Sequence, residues 1–252
     1  MSQSYTDHLL ERYHADFAKA TQHPFLVAAG DGSLDKSVLE RWLRQDYLYA
    51  HVGYIKYASL LLSRLPYPTV PPSTSTSTST RDHTLYKAIQ VVIFSLQNVH
   101  RETRFFASTA AEFGLDLVPD GTLPDRGGLL GEYEEVTRSY VDFLHGIAAG
   151  GSVEEGLVVL WAMEKASGAY LEAWRHAKSY RSSTTPSNQT KTQEALIHFI
   201  DNWTCEEFVG FVDDCEELVN GLVKPTDEIA GKCEQAFKRI MWLEQRFWPE
   251  VQ

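Results

Sequence analysis

Three cysteines among 252 residues are too few to staple this chain together. Cys205, Cys215 and Cys233 are odd in number and form no Cys-x-x-Cys pair, which argues against a disulfide framework and leaves a zinc site short of ligands. No uninterrupted apolar run approaches the ~20 residues that a membrane-crossing helix needs. The first residues include Asp7, Glu11, Arg12 and Asp16, so the uncharged apolar stretch of a secretory signal is missing. Basic charge is scarce as well, with 23 Lys and Arg against 34 Asp and Glu and a net charge of −11. Nucleic-acid backbones are held by clustered Lys and Arg, so neither nucleic acid nor an anionic membrane is the expected partner. Glycine-rich phosphate loops of the Walker or dinucleotide type are absent too. A reduced, cytoplasmic compartment is the expectation that remains.

What the chain does have is helical periodicity. The hydrophobic fraction of 43% suffices for a full core, and the six Trp and twelve Tyr predict an interior lined with rings. Residues 5–22 read as an amphipathic helix that stops before His23-Pro24-Phe25, because proline pushes its predecessor out of the helical region. After the Gly30-Asp31-Gly32 turn, Ser33 or Asp35 can cap a helix running to about Leu65. The stretch PYPTVPPSTSTSTSTR, residues 66–81, cannot support a packed core and is expected to be a disordered surface loop. Further helices are predicted over 82–113, 129–148, from a Ser152/Glu155 capping box to about Tyr180, over 190–222, and from Pro225-Thr226-Asp227 to the C-terminal region. No convincing strand and no repeat appears. The expectation is a single all-helical domain, residues 1–252, of about seven main helices.

Three of these helices carry an acid where their apolar face should continue. Leu39, Trp42, Leu43, Asp46, Tyr49, Ala50 and Gly53 share one face, and Asp46 is its one acid. Leu157, Leu160, Trp161, Glu164, Gly168 and Leu171 form a second such stripe. Cys233, Ala236, Phe237, Ile240, Met241, Glu244, Phe247 and Trp248 form a third. Burying a carboxylate is costly unless something pairs with it. Each one taken alone fits a partner for a buried Arg or a tyrosine hydroxyl. Three together, each with an aromatic within a turn, suit a polar pocket in the core of a bundle.

Spacing disfavours a metal there. A di-iron site needs a Glu-x-x-His pair on two helices, but the residues three beyond Glu164 and Glu244 are Ser167 and Phe247. Haem would need an inward axial ligand; His14 and His100 are the available histidines, and a lone helical His is usually structural.

The motifs His23-Pro24-Phe25, Asp31-Gly32-Ser33-Leu34, Gln45-Asp46-Tyr47-x-Tyr49 and Glu244-x-x-Phe247-Trp248 resemble the TenA/THI-4 family, from about residue 10 to residue 248. That resemblance implies a haem-oxygenase-like helical fold without haem, no cofactor, a small-molecule aminopyrimidine substrate, and a homodimer or homotetramer. It implies catalytic roles for Asp46, Glu164 and Glu244, and substrate binding by Tyr49, Tyr140, Phe247 and Trp203, the last standing where many members have a Tyr. One departure matters. Thiaminase-type members carry a Cys on the helix that here reads Leu160-Trp161-Ala162-Met163-Glu164, and Met163 stands in its place. A thioether cannot act as a thiolate nucleophile. The chain therefore resembles the branch without that Cys and with a Glu, which is associated with salvage of aminomethyl- or formylaminomethyl-pyrimidine to hydroxymethylpyrimidine. The alternatives are thiamin cleavage with Cys205 as a substitute thiol, a non-catalytic pyrimidine or thiamin sensor, and, by fold kinship alone, a cofactor-free oxidase of the pyrroloquinoline-quinone synthesis type.

Overall fold

The computed structural model describes residues 3–67, 80–117, 133–168 and 189–251. Within them the chain is helical and contains no strand. The elements are α1 (Tyr5–Arg12), α2 (His14–Thr21), α3 (Pro24–Asp31), α4 (Lys36–Leu48), a π-helical turn (Tyr49–Tyr54) and α5 (Ile55–Arg64). They continue as α6 (Thr80–Phe113), α7 (Glu135–Gly150), α8 (Val153–Ser167), α9 (Lys191–Trp203), α10 (Glu206–Leu222) and α11 (Ala230–Phe247).

The described residues thus hold more helices than the seven that periodicity predicts, for local reasons. The 5–22 pattern is interrupted at Tyr13, whose backbone leaves helical geometry. The 190–222 pattern breaks at Thr204 and Cys205, and Cys205 takes the extended N-cap conformation of α10. Pro24, expected only to end a helix, also begins one, occupying the first turn of α3. There its missing N–H costs nothing, and the His23 ring nitrogen accepts from the Phe25 N–H at 3.2 Å. Gly32 closes α3 in the left-handed region at φ 77°. Asp35 is the N-cap residue of α4, although its side chain makes no capping bond. The expected loop at 66–81 falls mostly on residues 68–79, outside the described set, as do 129–132 and 169–180 of two predicted helices.

α8 is the centre of the molecule. Its predicted capping box is present: the Ser152 hydroxyl accepts from Glu155 N–H at 3.0 Å, and the Glu155 carboxylate accepts from Ser152 N–H at 2.8 Å. Residues Gly156 to Glu164 are buried without interruption, as a helix surrounded by other helices must be. α11 and α10 pack along it. Trp161 is fully buried and stacks on Phe237 of α11 at 5.5 Å between ring centres. α6 closes one side against α5, α9 and α10, while α7 packs on α5, on α11 and on the π-helical turn. Gly53 permits that last contact, since a Cβ there would come within 2.7 Å of Val141 Cγ2.

Candidate active site

The three acid-bearing faces converge. One cavity is lined by Asp46 of α4, Tyr140 of α7, Glu164 of α8, Trp203 of α9, and Glu244 and Phe247 of α11. The π-helical turn adds Tyr49 and Tyr54, and α6 adds Asn98, Val99 and Glu102. Every site residue expected from sequence lies on this cavity.

The π-helical turn makes part of this arrangement possible. Residues five apart diverge by about 140° on an α-helix. The wider turn, closed by a bond from Ile55 N–H to Ala50 C=O, lets Tyr49 and Tyr54 both reach the cavity. Such turns recur at functional sites.

Each glutamate has one neutral donor. The Tyr54 hydroxyl donates to Glu164, the Tyr140 hydroxyl to Glu244 at 2.5 Å, and the Trp203 indole N–H to Glu102. The Asp46 carboxyl group accepts no hydrogen bond from the described residues and faces the cavity. Tyr49 donates to the Met163 sulfur at 3.2 Å, so the thioether serves as a wall and an acceptor. No Lys, Arg or His is among the described lining residues. Burial therefore dominates the electrostatics. It pushes Glu164 up to about 8, with repulsion from Glu102 and Glu244 adding to the rise and the Tyr54 bond opposing it. Burial likewise raises Glu244 to about 7 against the Tyr140 bond, and Glu102 to about 7 against the Trp203 bond. Asp46 is pushed well above the usual carboxylate range by burial and by repulsion from Glu102 and Glu244. Carboxyl groups that stay partly protonated near neutrality can exchange protons with a ligand.

The rings form two groups. Tyr49, Tyr140 and Phe247 cluster with centroids 4.9 to 5.9 Å apart. Trp203 belongs to a second group, stacked on Phe199 at 5.4 Å and set edge-on to Trp42 at 5.7 Å. It lines the cavity from a different wall and does not join the Tyr49 cluster.

A family model described as TENA/THI-4/PQQC matches residues 11–87 and 126–252. The chain belongs to that family. A Glycine max relative named "Probable bifunctional TENA-E protein" is 23% identical, over 96% of this chain and 91% of its own length. A Fusarium pseudograminearum relative named "Probable transcription factor" is 25% identical over 98% of this chain, which spans only 52% of that longer protein. Among solved structures, a TenA homologue from Pyrococcus furiosus superposes with a TM-score of 0.71 at 23% identity, covering 97% of this chain and 98% of its own. One from Pyrococcus horikoshii gives 0.69 at 18% identity, with 98% and 97% covered. These likenesses establish a TenA-type fold.

As a TENA/THI-4/PQQC member the chain has no thiol on its cavity among the described lining residues. Cys205 is exposed at the start of α10, while Cys215 and Cys233 are buried, Cys215 close enough to Glu164 for their charges to repel. Two acid-site residues escaped the sequence reading. Glu102 lies on α6 between Val99 and Phe106, three and four residues from inward positions, and its place in that stripe was the available signal. Tyr54 carried no such signal, because helical periodicity points it away from Tyr49. On α10 Phe208 lines the cavity, whereas Glu207 beside it is exposed and paired with Arg101. Among the described residues no group of three His, Cys, Asp or Glu is arranged to hold a metal ion. No described helix is long and apolar enough to cross a membrane.

Proposed function

We propose that this chain is a salvage hydrolase of the thiamin pyrimidine, a single helical domain converting an aminomethyl- or formylaminomethyl-pyrimidine to the hydroxymethylpyrimidine. The observation that carries this reading is a ring-lined cavity holding Asp46, Glu164 and Glu244, with Met163 next to Glu164 in the chain and no thiol among the described lining residues. Asp46, which accepts no hydrogen bond from the described residues, pairs with the amidine edge of a 4-aminopyrimidine. Tyr49, Tyr140 and Phe247 offer ring faces to the flat heterocycle on one side and Trp203 lies on another wall.

Hydrolysis then needs no covalent enzyme intermediate. One of Glu164 and Glu244 takes a proton from water as the water oxygen bonds the exocyclic methylene carbon. The C–N bond breaks, and the nitrogen leaves carrying a proton that the other carboxyl group supplies, or holds in place if the nitrogen is already protonated. The products are the alcohol and ammonia, or formamide from the formylated substrate. A cytoplasmic homodimer or homotetramer is the assembly we expect.

The name of the Fusarium relative belongs to a protein about twice this length. The net charge of −11 does not support nucleic-acid binding.

The test is incubation of purified, metal-free protein with thiamin, aminomethylpyrimidine and its N-formyl derivative, with products identified by mass spectrometry. Hydroxymethylpyrimidine from either aminopyrimidine, with thiamin intact, is the expected result. Cleavage of thiamin would point to another nucleophile, and no product from any of the three would overturn the reading.

A further inference from the structure

Glu102 is the fourth acid on the cavity and has no part in the hydrolysis described above. Its place is fixed from behind. The Trp203 indole that donates to one of its oxygens is clamped by Phe199 and Trp42, so the carboxyl group is held on a rigid wall. The second oxygen accepts no hydrogen bond from the described residues. One turn earlier on the same helix, the Asn98 carbonyl is engaged by Arg101, which itself pairs with Glu207 outside the cavity. The other acids lining the cavity with Glu102 are Asp46 from α4, Glu164 from α8 and Glu244 from α11, together with the phenols of Tyr49, Tyr54 and Tyr140. Four carboxyl groups from four helices meet with no described cation among them.

We propose that Glu102 selects a protonated amine on the substrate over a neutral group at the same position. This rests on the cavity being the aminopyrimidine site. A neutral ligand leaves the four carboxyl groups to avoid mutual repulsion by retaining protons. An ammonium group supplies the missing positive charge, satisfies the open oxygen of Glu102 with a charge-assisted hydrogen bond, and gains further from the nearby ring faces. Burial holds Glu102 at about 7 in the free protein, so a cation arriving near neutrality displaces a proton to solvent. The aminomethylpyrimidine enters as its ammonium form. Its formylated derivative is neutral at that nitrogen and gains nothing from Glu102.

The test is rapid mixing of the intact protein with aminomethylpyrimidine or hydroxymethylpyrimidine near pH 7, following tryptophan fluorescence before turnover and proton release with an indicator dye. The wild-type protein should bind the amine about tenfold or more tightly than the alcohol and release about half a proton per site from Glu102. Glu102→Gln should lose that preference while its affinity for the alcohol stays within about twofold, and Glu102→Asp, which keeps the charge, should restore part of it. Equal weakening of both ligands in Glu102→Gln, or an unchanged preference, overturns the role of Glu102. Failure of the wild-type protein to bind either ligand overturns the pyrimidine reading of the cavity itself.

Discussion

The Tyr54 hydroxyl donates a hydrogen bond to Glu164, joining residues 110 positions apart across the wall of the cavity. The bond favours the ionised carboxylate, whereas burial favours the protonated form, and burial prevails. Tyr54→Phe removes only the donor. The limb of the pH–rate profile set by Glu164 should then move to higher pH by roughly one pH unit. A fall in turnover with the profile unmoved would show that Tyr54 acts only in packing.

Replacing Glu164 by Gln keeps an acceptor for Tyr54 and removes the charge. Turnover should drop by about 100-fold or more, while pyrimidine binding survives. Unchanged turnover would remove Glu164 from the mechanism.

The same substitution should alter stability in a pH-dependent way. Glu164 has an unfolded value near 4.5 and a folded value of about 8, so the folded state holds the extra proton between them. Stability is therefore lost as pH rises through that window, the reverse of a salt-bridged carboxylate. Glu164→Gln should melt about 3 °C or more above wild type at pH 8.5, with the gap shrinking toward pH 5. A gap independent of pH, read by calorimetry, would contradict this assignment.

Gly53 tests the role of the π-helical turn. An added methyl meets Val141 Cγ2 at 2.7 Å, and valine is too stiff to swing aside. Gly53→Ala should destabilise the protein by about 1–3 kcal/mol in urea unfolding, and Val141→Ala in the same chain should recover part of that loss.

Cys205 is exposed and lies off the cavity. Cys205→Ser should leave turnover of aminomethylpyrimidine unchanged within about twofold, a surface substitution far from the chemistry. A large loss would restore the thiol as a candidate nucleophile.

The sequence alone determined the helical class and the acid-bearing faces of α4, α8 and α11, because a 3.6-residue period fixes which side chains share a side before any packing is known. Asp46, Glu164 and Glu244 were legible for that reason, each breaking an apolar stripe. The motifs around Asp46 and Glu244 made the family legible too. Other features followed from forces between helices. Whether Pro24 ends one helix or begins another, and where the 190–222 pattern breaks, depends on local capping and on how the chain must turn to cover the core. Tyr54 reaches Glu164 through a turn wider than an α-helix, which no fixed period foretells. Glu102 became a site residue only when α6 and α9 came together and the Trp203 indole fixed its carboxyl group on the cavity. The sequence determined the acids that break a stripe; tertiary packing decided which groups face them, and so how far burial raises them toward neutrality.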